Sequence, residues 1–325
     1  MKTARGEIVM KIKINPILKK EFKLGARTFR FPLGIALYSM AFAAISLLLL
    51  IGNTNWLSNV VYGNYNSWST VSYSGLTTSF VGLAIGQVVM ICIIVPVITA
   101  SSIAGERERQ TLDILLTAPV SSFSIAAGKL TAALANVFMF IIGTLPALSL
   151  CFLYGGIEWH YLLIFIVDIM LLAFFVGAIG VWCSAMFKKT IVSVIMTMLM
   201  EAIFYIVPLI AYIAIYSVRY NSQLLAAANA NQTIKSVDMG WSGLILLFDP
   251  FVTSVNSLLA SNSTSGIVNA ISARLFELAD NASGFDFVMS HWTLFGSIVM
   301  IVIGFLFLFF TARKIDAPGR KHGRK

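Results

Sequence analysis

GERERQTLDILLTAPVSSFSIAAGK, residues 105–129, places a dense set of charges between two long apolar runs. Upstream lies FVGLAIGQVVMICIIVPVITASSIA (80–104) and downstream LTAALANVFMFIIGTLPALSLCFLY (130–154). A hydrocarbon core of about 30 Å takes about 20 apolar residues in a helix, so each run is long enough to cross a bilayer. The charged stretch is therefore a water-facing connection between two crossings.

Working outward, four more stretches of this kind appear at 33–52, 161–186, 191–217 and 292–310. The chain is 58% hydrophobic and only 11% charged, with a mean hydropathy of +0.87, which excludes an ordinary soluble domain. Backbone groups inside a bilayer must pair within their own segment, so the six spans are helices. The expected fold is an all-α polytopic membrane protein. Its parts are a basic segment at 1–32, a six-span domain at 33–310 and a basic tail at 311–325. Pro96, Pro146 and Pro208 fall inside spans, where each removes a helical donor. The basic leader is too long for a signal peptide's first region and no small-residue cleavage site follows 33–52, so that run reads as a permanent span.

Charge orients the spans. Of the 23 Lys and Arg residues, 20 flank the spans on one side, while the short loops 53–79 and 155–160 carry none. The positive-inside rule puts both termini and the 105–129 loop in the cytoplasm. It also leaves 218–291 as a long external loop. The net charge of +9 then marks topology and attraction to anionic lipid headgroups, and the dispersed basic residues do not form a nucleic-acid face.

Local patterns refine this plan. In 11–31, Ile14, Ile17, Leu18 and Phe22 alternate with lysines as in a basic helix lying in the interface, an elbow. In the external loop, the apolar stretch 241–251 is too short to span, and it is expected to pack back onto the helix ends or dip into the interface. Residues 266–282 have helical periodicity. Asn231, Asn262 and Asn281 stand in sequons that matter only in a eukaryotic secretory pathway. Cys92, Cys151 and Cys183 fall within spans and form no C-x-x-C, and the three histidines are scattered, so neither disulfide nor metal chemistry is indicated.

Within the 105–129 loop, Leu112, Leu115 and Leu116 follow helical spacing behind Glu106, Arg107, Glu108, Arg109 and Asp113. This predicts one short amphipathic helix ended by Ala118–Pro119, after which Ser121 or Ser122 caps the next helix. Such a helix suits docking on another protein, and equally fits an ordinary interfacial loop. Two carboxylates lie deep in spans: Glu201 near the midplane and Asp168 nearer the outer side. Each is a candidate for a translocation path or a paired interhelical acid.

The run ERERQTLDILLTAPVSSFSIAAGK resembles the signature of the type-2 permease family of ATP-binding-cassette transporters. The matching places are Glu106, Glu108, Thr111, Leu112, Asp113, Leu115, Leu116, Thr117, Pro119, Gly128 and Lys129. NPILKKEFK, residues 15–23, is similar to the family's elbow leader. The sequence departs from the pattern at Gln110, usually Gly, and at Asp113, usually Glu. Because Gln is the better helix former, the expectation is that Gln110 sits comfortably in the coupling helix. The resemblance implies a transmembrane permease subunit of an exporter in a bacterial or archaeal plasma membrane, paired with an identical or sister permease. It also implies a coupling helix, formed by Glu106, Arg107, Glu108, Arg109, Thr111, Leu112, Asp113, Leu115, Leu116 and Pro119, seated on a separate ATPase subunit. The chain lacks G-x-x-x-x-G-K-[ST], so it binds no cofactor itself, and ATP and Mg belong to that partner. Two rivals remain: an ATP-independent channel or secondary transporter, and a membrane hydrolase built on Ser242 of Gly-Trp-Ser-Gly with His291 as base.

Overall fold

A computed structural model describes residues 30–53, 73–111, 121–153, 159–229, 240–260 and 291–315. The described residues form helices: α1 (Arg30–Asn53), α2 (Tyr73–Glu108), α3 (Ser122–Leu153), α4 (Trp159–Met186) and α5 (Thr190–Asn229). A 3-10 helix (Gly240–Phe248), α6 (Pro250–Ala260) and α7 (Trp292–Ile315) follow. Six of these, α1 to α5 and α7, are long and apolar enough to cross a membrane, as expected from the sequence. The elbow expected at 11–31 falls almost wholly outside the described residues, as do the periodic stretch 266–282 and the three sequons.

α4 is the centre of the bundle. Phe175, Ile169, Leu172 and Ile179 on α4 are fully enclosed by apolar side chains of the neighbouring helices. In lipid, apolar side chains gain little from meeting each other instead of acyl chains, so close backbone approach and polar links do more of the work. Gly180 supplies the closest approach: a Cβ there would run into the Thr99 side chain of α2 and come within 3.4 Å of the Ala100 nitrogen. One turn further on, the Ser184 hydroxyl accepts the backbone N–H groups of Ile103 (2.9 Å) and Ala104 (2.8 Å). T-shaped ring contacts, Trp182–Phe307 and Phe175–Phe204, tie α4 to α7 and α5.

α5 is built inside out. Its buried residues are Ser193, Thr197, Glu201, Pro208 and Tyr212, whereas Ile191, Ile195, Leu199, Ile203 and Ile206 face away from the bundle. At 40 residues it is about 60 Å long. It therefore continues well past the 191–217 span into the stretch that the sequence assigned to the following loop.

The apolar loop segment 241–251 does pack back onto the helices. The 3-10 helix and α6 form a hairpin whose Leu246, Leu247 and Val252 pack with Tyr212 of α5 and Trp292 of α7. The hairpin turns at Asp249, whose Oδ1 accepts the N–H groups of Phe251 (2.9 Å) and Val252 (3.2 Å). This is an N-cap followed by proline at the first helical position, which has no N–H to satisfy. Burial outweighs those two bonds and pushes the Asp249 carboxyl up to about 6. Beyond the cap, the Phe251 ring meets that of Tyr205 with centroids 6.1 Å apart, and Thr253 fills the space above Gly296 of α7.

Candidate functional site at the basic end of the bundle

The charged run at the end of α2 does not open a new helix. Glu106, Arg107 and Glu108 form the last turn of α2 itself, and each reaches a different neighbour. The Glu106 carboxylate accepts a hydrogen bond from the Lys129 ammonium of α3 at 2.8 Å, and Lys129 is only 4% exposed. Arg107 donates from Nη2 to the carbonyl of Ala185 and from Nη1 to that of Phe187, both at 3.2 Å. These carbonyls end α4, where helical acceptors lack intrahelical donors and a cation is favoured by the helix dipole. Glu108 does the converse for α5. Its Oε1 accepts the Thr190 N–H at 3.0 Å and its Oε2 accepts the Thr190 hydroxyl at 2.6 Å, at a helix start that favours an anion.

One helical turn thus holds the end of α4, the start of α5 and α3 about two turns in from its start. Arg109, Gln110 and Thr111 are exposed beyond it. Gln110 stands at φ 58°, in the left-handed region. The Gln110 N–H bonds the Arg107 carbonyl at 3.1 Å and the Thr111 N–H bonds the Glu106 carbonyl at 2.9 Å. That is the paired 5→2 and 6→1 pattern of a Schellman cap. The helix-propensity argument for Gln110 therefore does not apply, because the position ends the helix and glycine suits it for its freedom at positive φ. Leu112, Asp113, Leu115, Leu116 and Pro119 lie outside the described residues. At the far side of the loop, the Ser121 hydroxyl accepts the Ser124 N–H at 3.2 Å and caps α3, one of the two serines expected there.

The two intramembrane acids occupy separate places. Glu201 of α5 is buried and accepts the Tyr205 hydroxyl at 2.7 Å, and that hydroxyl lies 3.3 Å from the Cys92 sulfur of α2. Asp168 of α4 is buried where α6 packs on α4. Ser254 of α6 lies near it, although neither Asp168 oxygen nor the Ser254 hydroxyl reaches hydrogen-bond geometry with a described residue. Ser242 lies in the 3-10 helix and His291 immediately precedes α7. Among the described residues no cluster of His, Cys, Asp and Glu is arranged to hold a metal ion.

Sequence reasoning missed that Glu106, Arg107 and Glu108 bind neighbouring helices, and with it Thr190 and Lys129 as partners. Asp249–Pro250 was findable, since an acidic N-cap followed by proline is a helix-start signature. Nothing in the sequence points from Glu108 to Thr190, 82 residues away.

Six long apolar helices, three of them bound by the charged last turn of a fourth, α2, define an all-α, multi-pass membrane protein. The chain belongs to the ABC-2 family of transporter proteins, whose family model matches residues 16–313. It is accordingly a transmembrane subunit of the ABC-2 permease type. No curated protein matches it.

Proposed function

We propose that the chain is the permease subunit of an exporter driven by ATP hydrolysis on a separate ATP-binding-cassette subunit, with the 105–129 loop as the contact to that subunit. Both termini and this loop then lie in the cytoplasm, and the transport path forms between two permease copies or a permease and its sister. The observation that carries the reading is the capped end of α2. Its last turn is bound to α3, α4 and α5, so a force applied to the loop reaches four helices at once. Closure of the ATPase pair on nucleotide would tilt each bundle as a rigid body. Arg109, Leu112, Asp113, Leu115, Leu116 and Pro119 are assigned to the docking surface, and Glu106, Arg107 and Glu108 to its anchorage. Glu201 and Asp168 are assigned to the path as the two carboxylates buried within the spans.

The test is purification of the tagged chain from native membranes into lipid nanodiscs. The expected result is a co-purifying subunit that carries G-x-x-x-x-G-K-[ST] and vanadate-sensitive Mg-ATP hydrolysis by the assembly. Arg109→Glu combined with Leu112→Asp should release that subunit without reducing membrane insertion. An assembly that contains no ATPase would favour an ATP-independent channel or secondary transporter.

A further inference from the structure

α5 buries the polar Ser193, Thr197 and Glu201 in the bundle beside the partly buried Met196, Met200 and Phe204, and turns much of its apolar surface outward. In a bilayer such a helix gains little from apolar packing, and its place is set by close contacts and directional polar links. Among the described residues two such links join α5 to α2. One is the chain from Glu201 through Tyr205 to Cys92, within the bundle. The other is the pair of bonds from Glu108 to Thr190, at the basic end. Glu201 follows Thr190 by 11 positions, about 16 Å of helix, so the links are well separated along the axis. Two separated attachment points fix the tilt of a rod, and one leaves it free to pivot.

Resting on the coupling role proposed above, we infer that Glu108 and Thr190 are positioning residues which make α5 follow α2. Displacement of the loop is handed to α5 at its first residue, and the Glu201–Tyr205–Cys92 chain keeps the two helices aligned further in. Arg107 serves the same joint from the other side of the α4–α5 turn by holding the carbonyls of Ala185 and Phe187. α5 then moves with the bundle and not as an independent gate.

The test places spin labels, as noncanonical amino acids that leave Cys92 intact, at Val97 of α2 and Ile195 of α5. Both side chains point away from the bundle. Distances are measured in nanodiscs for the full chain with its co-purified ATPase, nucleotide-free and with ATP plus vanadate. The wild-type chain should give one narrow distribution that is the same in both states. Thr190→Val removes the hydroxyl bond and should broaden the distribution and make it nucleotide-dependent, while Thr190→Ser restores it. Glu108→Ala removes both bonds and should give the larger change. A distribution as narrow for Thr190→Val and Glu108→Ala as for wild type, in every state, overturns the joint. Absence of any ATPase from the wild-type preparation defeats the transporter reading instead, and the nucleotide-free comparison still decides whether Glu108 and Thr190 hold α5.

Discussion

The carboxylate of Glu106 and the ammonium of Lys129, 23 residues apart, meet at 2.8 Å and close the base of the loop between α2 and α3. The loop thereby springs from a fixed point. The pair is also asymmetric: Lys129 is nearly enclosed, while the second Glu106 oxygen is buried without a hydrogen bond among the described residues.

Removing one member of such a pair leaves the other charged and poorly solvated, which costs about 3 kcal/mol or more in buried settings. Lys129→Met should therefore lower the melting temperature of the detergent-solubilised protein more than the double variant Glu106→Gln/Lys129→Met. Equal melting temperatures for the two would show that the pair is effectively solvated.

Gln110 holds a left-handed conformation that costs a residue with a Cβ about 1 kcal/mol relative to glycine. Gln110→Gly should raise thermal stability, and Gln110→Val should lower it, because a β-branched side chain fits positive φ worst. Thermal unfolding followed by tryptophan fluorescence measures both. The opposite order would mean that the Schellman cap does not form in the membrane.

At the α2–α4 contact, Gly180 leaves no room for a side chain beside Thr99 and the Ala100 backbone. Gly180→Val should cost about 1–3 kcal/mol through overpacking. Gly86, with open space around its Cβ position, provides the control: Gly86→Ala should be neutral or slightly stabilising, as alanine is the better helix former. Size-exclusion profiles and melting temperatures of the two variants check the contrast.

Asp249 gives a pH dependence of defined sign. Its folded-state carboxyl titrates near 6, above the unfolded value of about 4, so the folded protein holds the proton more tightly. The stability it contributes is full below pH 4 and is lost as the pH rises through about 6. Asp249→Asn keeps an acceptor for Phe251 and Val252 without the charge, and should flatten this dependence and exceed wild type in melting temperature at pH 8. Asp249→Ala loses the cap and should cost about 1 kcal/mol. Melting curves between pH 4 and 8 decide; a parallel dependence in Asp249→Asn would assign the titration elsewhere.

The spans were legible because crossing a bilayer is nearly a local property. Residues 161–186 have no choice but a helix, whatever they meet, since no water is available to their backbone. The apolar stretch 241–251 was legible in the same way as something that could neither span nor dissolve, and the hairpin that Asp249 caps satisfies both conditions. The role of 106–108 was not legible. Alternating acids and bases before a leucine stripe look like one amphipathic surface helix. The charges are instead consumed by helix ends that arrive beside them, Ala185 and Phe187 from one side and Thr190 from the other.

What the amino-acid sequence determined unaided was the number of crossings, the charged connection between the second and third, and the two acids held within the spans. Each follows from free energies summed over one continuous segment. Only the tertiary structure decided where those charges point, that Gln110 ends a helix, and that α5 turns its polar side inward. Those outcomes depend on unpaired backbone groups at helix termini being brought together from about 80 residues away, and hydrogen bonds act only over that final contact distance.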